Sequence, residues 1–360
     1  MKTTILLLFL MASIGCFAQK HKAENIILIS VDGMRWHEIF HGADSTLLFN
    51  DKYNNQDLES LQKKYWASTP KERRQKTMPF FWGTIAAKGQ LYGNRDLGNK
   101  VNLRNKYWFS YPGRSENISG YYDPKIDSNE YPNNPNENVL EFLNKQNGYE
   151  GKVVTFASWN AVGRIVNRDR NGMLVNLPGE EVQGTHLTES QKLANELQHY
   201  LPEYSGKGLR FDEHTFALTK TYMTADHPKV VYIDFADPDR FGHAGQYDSY
   251  LDSAHYIDAM IASLWKMIQE DPFYMDKTAI MVYPDHGRGL GDQWTGHGSG
   301  SVHSDETWLA AIGPGVTPIG EVSTEGQIYQ DQIAQTAANL LGFLFTADHP
   351  VGEPIKTISQ

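Results

Sequence analysis

At 360 residues, with 40% hydrophobic and 21% charged side chains, the chain is long enough for a large buried core and has the composition of an ordinary globular enzyme. A formal net charge of −10 argues against a nucleic-acid-binding surface. The densest basic run, Lys71-Glu72-Arg73-Arg74-Gln75-Lys76, is short, carries an acid and reads as a solvated face or loop.

The chain starts with an address. Lys2 is followed by an apolar run at 5–11 and by Cys16-Phe17-Ala18 before Gln19, the pattern of a cleavable export signal over residues 1–18. That run is too short to span a membrane, and no later stretch approaches ~20 apolar residues. A periplasmic or extracellular protein acting on a small molecule is expected. Cys16 is the only cysteine, so beyond the signal disulfides and thiolate metal sites are excluded together. Gly15 before Cys16 leaves lipid attachment as an alternative, although Ser13 stands where such signals usually carry leucine.

Short apolar runs at 26–31, 153–156, 230–235, 279–283 and 308–312 read as buried strands, most of them followed by Gly, Asp or Pro and then by helical patterns. The clearest helix runs over 247–269, where Tyr250, Ala254, Ile257, Ile261, Leu264 and Ile268 recur at helical spacing. A second is predicted over 329–341. This alternation predicts an α/β fold with a doubly wound, mostly parallel sheet flanked by helices. Residues 19–360 read as one catalytic domain, with cap segments inserted near 95–148 and 160–226 over one edge of the core.

Several polar residues fall just after predicted strands, where open α/β sheets bind ligands. Asp32 ends an apolar strand and precedes Gly33; it reads either as a cation ligand or as a turn or N-cap aspartate. Asp239 and His243 are four apart, with Gly242 between them to let the loop curl. Asp285 and His286 follow a strand directly and precede Gly287. His297 lies between two glycines, and His303 is its rival. Thr77 precedes Met78-Pro79 and reads as an ordinary helix-start residue or as a hydroxyl at a helix N-terminus whose following amides, from Met78 on, hold a phosphoryl oxygen. Carboxylates, imidazoles and one hydroxyl suit a pair of zinc-like ions, and two such ions about 3.5–4 Å apart clamp the attacking and leaving oxygens of a phosphoryl transfer.

In this order, Val31-Asp32-Gly33-Met34, Lys76-Thr77-Met78-Pro79, Pro238-Asp239 to His243, Asp285-His286-Gly287 and Gly296-His297-Gly298 resemble the alkaline phosphatase superfamily, above all its nucleotide pyrophosphatase/phosphodiesterase branch. The resemblance covers about residues 24–345. It implies one zinc on Asp239, His243 and His297, and a second on Asp32, Thr77, Asp285 and His286. It also implies that Asn94 binds a phosphoryl oxygen, and that Thr77 is phosphorylated in the first of two in-line steps and freed by water in the second.

Departures lie beside the substrate. Phe80, Phe81 and Trp82 follow Pro79, where the family often has Asn or Gly. The region of a Lys-x-Arg pair found in some monoesterases reads Ser158-Trp159-Asn160-Ala161, with Arg164 beyond it. Without the lysine a phosphodiesterase is favoured and a phosphomonoesterase is the alternative; a sulfatase or a non-catalytic, metal-braced binder ranks lower. Arg164 reads as a phosphate-binding or a surface arginine. Trp36, Phe80, Phe81, Trp82, Trp108 and Trp159 read as stacking surfaces for a substrate or as packing.

Overall fold

The computed structural model describes residues 22–201 and 208–358, so the segment expected to be an export signal, with Cys16, lies outside the described residues. Among those residues no helix is long and apolar enough to cross a membrane.

Eleven strands are present among the described residues: β1 (Asn25–Val31), β2 (Gly89–Tyr92), β3 (Asn99–Asn102), β4 (Val153–Ala157), β5 (Leu174–Asn176), β6 (Val230–Phe235), β7 (Thr278–Pro284), β8 (Glu306–Thr307), β9 (Leu309–Ile312), β10 (Gly320–Glu321) and β11 (Gly326–Tyr329). Eight form one sheet in the order β10-β2-β9-β7-β1-β6-β4-β5, and β11-β3-β8 form a small second sheet. The large sheet is parallel except at β9, which runs antiparallel to both β7 and β2.

The helices used below are α1 (Pro70–Thr77), α2 (Ser110–Ser119), α3 (Asp212–Asp226), α4 (Asp237–Ala244), α5 (Tyr247–Glu270) and α6 (Ile333–Leu340). The predicted α/β architecture is the observed one, and the strands foreseen from the sequence lie within a residue or so of their observed bounds. The helix expected over 329–341 begins later, because residues 330–332 form a 3₁₀ turn first.

The centre of the sheet explains why its sequences are apolar throughout instead of alternating. β1 is buried along its whole length, with Ile26 and Leu28 in one core and Ile27, Ile29 and Val31 in the other. Helices cover both faces, as a parallel sheet requires. α6 packs on the first core. α5 lays Ala254, Ile257, Ile261, Leu264 and Ile268 on the second. Each such fully buried side chain contributes roughly 1.5–3 kcal/mol of transfer free energy.

Register then places the chemistry. Val31 is level with Phe235 on one side and Pro284 on the other. The three central strands therefore end together, and Asp32, the start of α4 and Asp285 leave the sheet side by side.

The two segments expected as caps do more than cover an edge. Residues 95–148 contain β3 and the wholly buried α2. Residues 160–226 contribute the edge strand β5 and α3.

Candidate active site

Six of the seven predicted metal-ligand positions converge at the ends of β1, β6 and β7. His286 Nε2 lies 3.1 Å from Asp32 Oδ1, 3.7 Å from Asp285 Oδ2 and 4.0 Å from Asp239 Oδ1. His297 Nε2 is 3.5 Å from Asp239 Oδ1. His243 Nε2 is 3.2 Å from Asp239 Oδ2 and 2.9 Å from His297 Nε2. His303 takes no part and instead faces Glu306 at 3.1 Å.

Neighbouring carbonyls orient the imidazoles. His286 Nδ1 is 2.8 Å from the Gly287 carbonyl, and His297 Nδ1 is 3.4 Å from that of Trp108. With Nδ1 turned to a carbonyl, each imidazole points its Nε2 at the cluster, the arrangement usual for metal-ligating histidines. Asp239, His286 and His297 form one group with ligand atoms within 4.8 Å of one another, and Asp32, Asp285 and His286 form another. This hard-oxygen and imidazole donor chemistry fits divalent ions such as zinc.

Burial makes the cluster's charges interdependent. Asp285 is fully buried, and its carboxyl is pushed up to about 7 by burial, against the opposing pull of Arg114. Burial alone would depress His286, yet Asp285 and Asp32 raise it to about 9. Burial and the neighbouring His286 hold His297 down to about 3.

Thr77 is not in this cluster. Thr69 and Glu72 form a capping box that starts α1 at Pro70, so Thr77 is the last residue of that helix and not the first of the next. Its Oγ1 donates to the Arg73 carbonyl at 3.0 Å, and its own carbonyl lies 3.0 Å from His255 Nδ1. The amides meant for a phosphoryl oxygen are also spent. Met78 donates to the Arg74 carbonyl, and Phe80 and Phe81 donate to the Asp258 carboxylate at 2.8 and 2.9 Å.

Asn94 is displaced as well. Its Oδ1 accepts from the Asp96 amide and its Nδ2 donates to Glu321 at 2.6 Å. It lines a separate cavity of about 670 Å³, shared with His41, Arg74 and Glu321.

Ser110 stands where Thr77 was expected. Its Oγ is 3.3 Å from His286 Nε2 and 3.5 Å from Asp32 Oδ1. It is the first residue of α2, whose N-cap residue, Phe109, has no capping side chain; Asn129 Oδ1 accepts instead from the Tyr111 amide at 2.8 Å. Two residues upstream Trp108 holds a positive φ of 54°, a strained turn of the kind that often presents a functional residue. One turn along α2, Arg114 is fully buried among three carboxylates. Its Nε donates to Asp234 at 2.6 Å, its Nη2 to Asp32 at 2.9 Å, and its Nη1 to Asp285. Gly113 permits this approach, since a Cβ there would overlap the Asp285 carbonyl oxygen.

Sequence reasoning missed Ser110 and Arg114, although Ser110-Tyr111-Pro112-Gly113 carries a helix-start signal with proline in the first turn. Arg288, which bonds Asp239 and the carbonyls of Trp294 and Thr295, carries no such signal.

Asp32, Ser110, Asp239, Asn129, Trp159 and Arg240 line a pocket of about 460 Å³ over the cluster. Trp159 is thus at the site, with the Arg114 guanidinium 5.2 Å from its ring. Arg164 is behind the wall. Its Nη2 donates to the Asn129 carbonyl at 2.9 Å, and its Nη1 lies 3.5 Å from Glu130. Phe80 packs on the second core, and the Trp82 ring carries the Arg74 guanidinium at 3.4 Å. These two aromatics are packing, as is Trp36, whose Nε1 donates to Glu306 at 2.9 Å.

A doubly wound sheet bearing this Asp/His cluster at its strand ends defines an alkaline-phosphatase-like phosphoric ester hydrolase. More particularly, the sequence matches the type I phosphodiesterase/nucleotide pyrophosphatase family over residues 48–337, and the chain belongs to that family.

Solved structures with the same fold include wild-type alkaline phosphatase PafA, with 10% identity and a TM-score of 0.61 over 94% of this chain and 99% of that one. The phosphonate monoester hydrolase of Silicibacter pomeroyi aligns at 15% identity and a TM-score of 0.57, over 93% and 76% of the two chains. The lipoteichoic acid synthase LtaP of Listeria monocytogenes aligns at 13% identity and a TM-score of 0.53, over 94% and 77%. At these identities the likeness is one of fold. Comparison with curated protein sequences gives no match.

Proposed function

We propose that the protein is an exported phosphodiesterase that hydrolyses small phosphate diesters through a covalent phosphoserine on Ser110. The observation that carries this reading is the hydroxyl of Ser110, at the start of α2, within 3.5 Å of both His286 Nε2 and Asp32 Oδ1 and in the same pocket as Asp239.

Asp239, His243 and His297 would hold one divalent ion, and Asp32, Asp285 and His286 the other. When bound, such ions neutralise charge that develops on the oxygens around phosphorus and lower the pKa of a nearby hydroxyl. Ser110 Oγ gives its proton to solvent and attacks phosphorus in line as the opposite P–O bond breaks, and the departing alkoxide takes a proton from solvent to leave as the alcohol. The Tyr111 amide is bonded to Asn129 Oδ1 and Pro112 has no N–H, so the Ser110 amide is the one at this helix start that would meet the charge developing on a phosphoryl oxygen. Water then cleaves the phosphoserine, and the Ser110 hydroxyl is restored.

Charge balance favours a diester. Arg114 is shared by Asp32, Asp234 and Asp285, Arg288 is bonded to Asp239, and Arg240 lies 2.9 Å from Asp237. The positive charge these arginines offer an incoming phosphate is small, which suits the single charge of a diester better than the double charge of a monoester.

The test is paired hydrolysis of an aryl phosphate diester and its monoester by the zinc-loaded mature chain, with acid-quenched mass spectrometry to locate the phosphorylated residue. A diester preference of about 100-fold, some 2.7 kcal/mol, with phosphate on Ser110 is expected. A monoester preference, or phosphate on Thr77, overturns the assignment.

A further inference from the structure

The two halves of the cluster use their arginines differently, and the difference lies in single oxygen atoms. Asp285 Oδ1 accepts from the Gly33 amide at 3.0 Å and from the His286 amide at 2.9 Å. Oδ2 is therefore the oxygen Asp285 has to give, and Arg114 Nη1 is bonded to it. The same guanidinium takes Asp32 Oδ2 at 2.9 Å. In the other half, Arg288 Nη1 bonds Asp239 Oδ1, which also lies 3.5 Å from His297 Nε2, while Asp239 Oδ2, to which Arg288 is not bonded, faces His243 Nε2 at 3.2 Å. An arginine and an ion can share Asp239, one oxygen each. They cannot share Asp285 in this way.

We propose that the Arg114 guanidinium and a divalent ion compete for Asp285 Oδ2, so that the Asp32/Asp285/His286 position binds its ion more weakly and fills second, by exchange. This rests on the metal-assisted reading above.

Asp234 is what makes exchange practicable. It is fully buried at the end of β6, and it holds Arg114 through Nε to Oδ1 at 2.6 Å and Nη2 to Oδ2 at 3.4 Å. A buried guanidinium stripped of every carboxylate would cost several kcal/mol. With Asp234 as anchor, Arg114 gives up Asp285 and remains paired. Nothing equivalent is needed around Arg288, because the Trp294 and Thr295 carbonyls fix it at 2.8 and 2.7 Å.

The test is a zinc titration of the metal-stripped, full-length mature protein against a chromophoric zinc indicator. The wild type is expected to bind two zinc ions with affinities at least about tenfold apart. Arg114→Met and Arg114→Gln are expected to tighten the weaker step about tenfold, leaving the tighter step within about threefold. Arg114→Lys keeps the buried charge, and so the fold, but a single ammonium grips fewer carboxylates; it is expected to tighten the weaker step by a smaller factor, about threefold. An unchanged or weakened second step in the variants that fold overturns the competition while leaving the metal reading intact. Fewer than two zinc ions per wild-type chain removes the metal reading and the competition with it.

Discussion

Ser110 Oγ stands 3.3 Å from His286 Nε2 although 176 residues separate the two in the chain. The pairing joins the start of a buried helix to the end of the sheet's central region, and the proposed phosphoserine mechanism rests on it. Two substitutions separate this arrangement from the one expected from the sequence.

Ser110→Ala is expected to lower kcat/KM by at least ~10³-fold, about 4 kcal/mol of transition-state stabilisation. Thr77→Ala is expected to keep kcat/KM within about twofold. Its cost is in stability, roughly 1 kcal/mol for the lost bond to the Arg73 carbonyl. Steady-state kinetics beside urea denaturation distinguishes them, and equal losses of activity in both variants would sink the assignment of Ser110.

Gly113→Ala is expected to damage fold and site together. The added methyl meets the Asp285 backbone, which has little room to give, and overpacking of this kind costs about 1–3 kcal/mol. Gly83 is the control, since a Cβ there has nothing within 4 Å. Gly83→Ala is expected to melt at or slightly above the wild-type temperature. Thermal melts and hydrolysis rates on the pair check this, and equal behaviour of the two variants refutes it.

Trp159→Ala removes a wall of the pocket and not a reacting group. Its effect is expected in KM, about 3–10-fold, with kcat nearly unchanged, the signature of lost uniform binding. A fall in kcat at constant KM would show that Trp159 acts instead through Arg114, over which its ring lies.

Asp258 gives a pH prediction. Burial pushes its carboxyl up to about 7, against the Phe80 and Phe81 amides that favour the ionised form. An unfolded aspartate titrates near ~4. Between those values the folded protein holds a proton that the unfolded chain has released, so this group's contribution to stability falls as pH rises from about 4 to 7. Asp258→Asn removes the titration. The melting temperature of the wild type minus that of the variant is expected to shrink between about pH 5 and pH 8, and a difference constant in pH contradicts it.

His243 and His297 were marked by their neighbouring glycines. The gathering of Asp32, Asp239, Asp285 and His286 at one edge was legible because the strands before them are continuous apolar runs, and such runs fix both the sheet and the edge at which ligands gather. Their convergence then follows from the common level of Val31, Phe235 and Pro284. Thr77 was misplaced for a local reason. The resemblance matched Lys76-Thr77-Met78-Pro79 as the start of a helix, whereas Thr69-Pro70-Lys71-Glu72 had already started one, and a capping box outranks a proline that comes later. Ser110 lay inside a segment read as a cap, because 95–148 is rich in Asn, Tyr, Pro and Gly and its strands are short. Arg114 and Arg288 were illegible for a different reason. Which carboxylate a buried arginine serves depends on tertiary approach, and no local pattern encodes that.

The register of β1 has a consequence for how the molecule is made. Asn25 and Thr278, side by side in the sheet, are 253 residues apart in the chain. Loop closure over that distance comes late in folding. A chain still emerging from the ribosome therefore has Asp32 from its first moments but has neither the β7 neighbour nor His286 and His297. The capacity to gather ions belongs to the finished protein alone, and a truncated or stalled chain carries the acids without the chemistry.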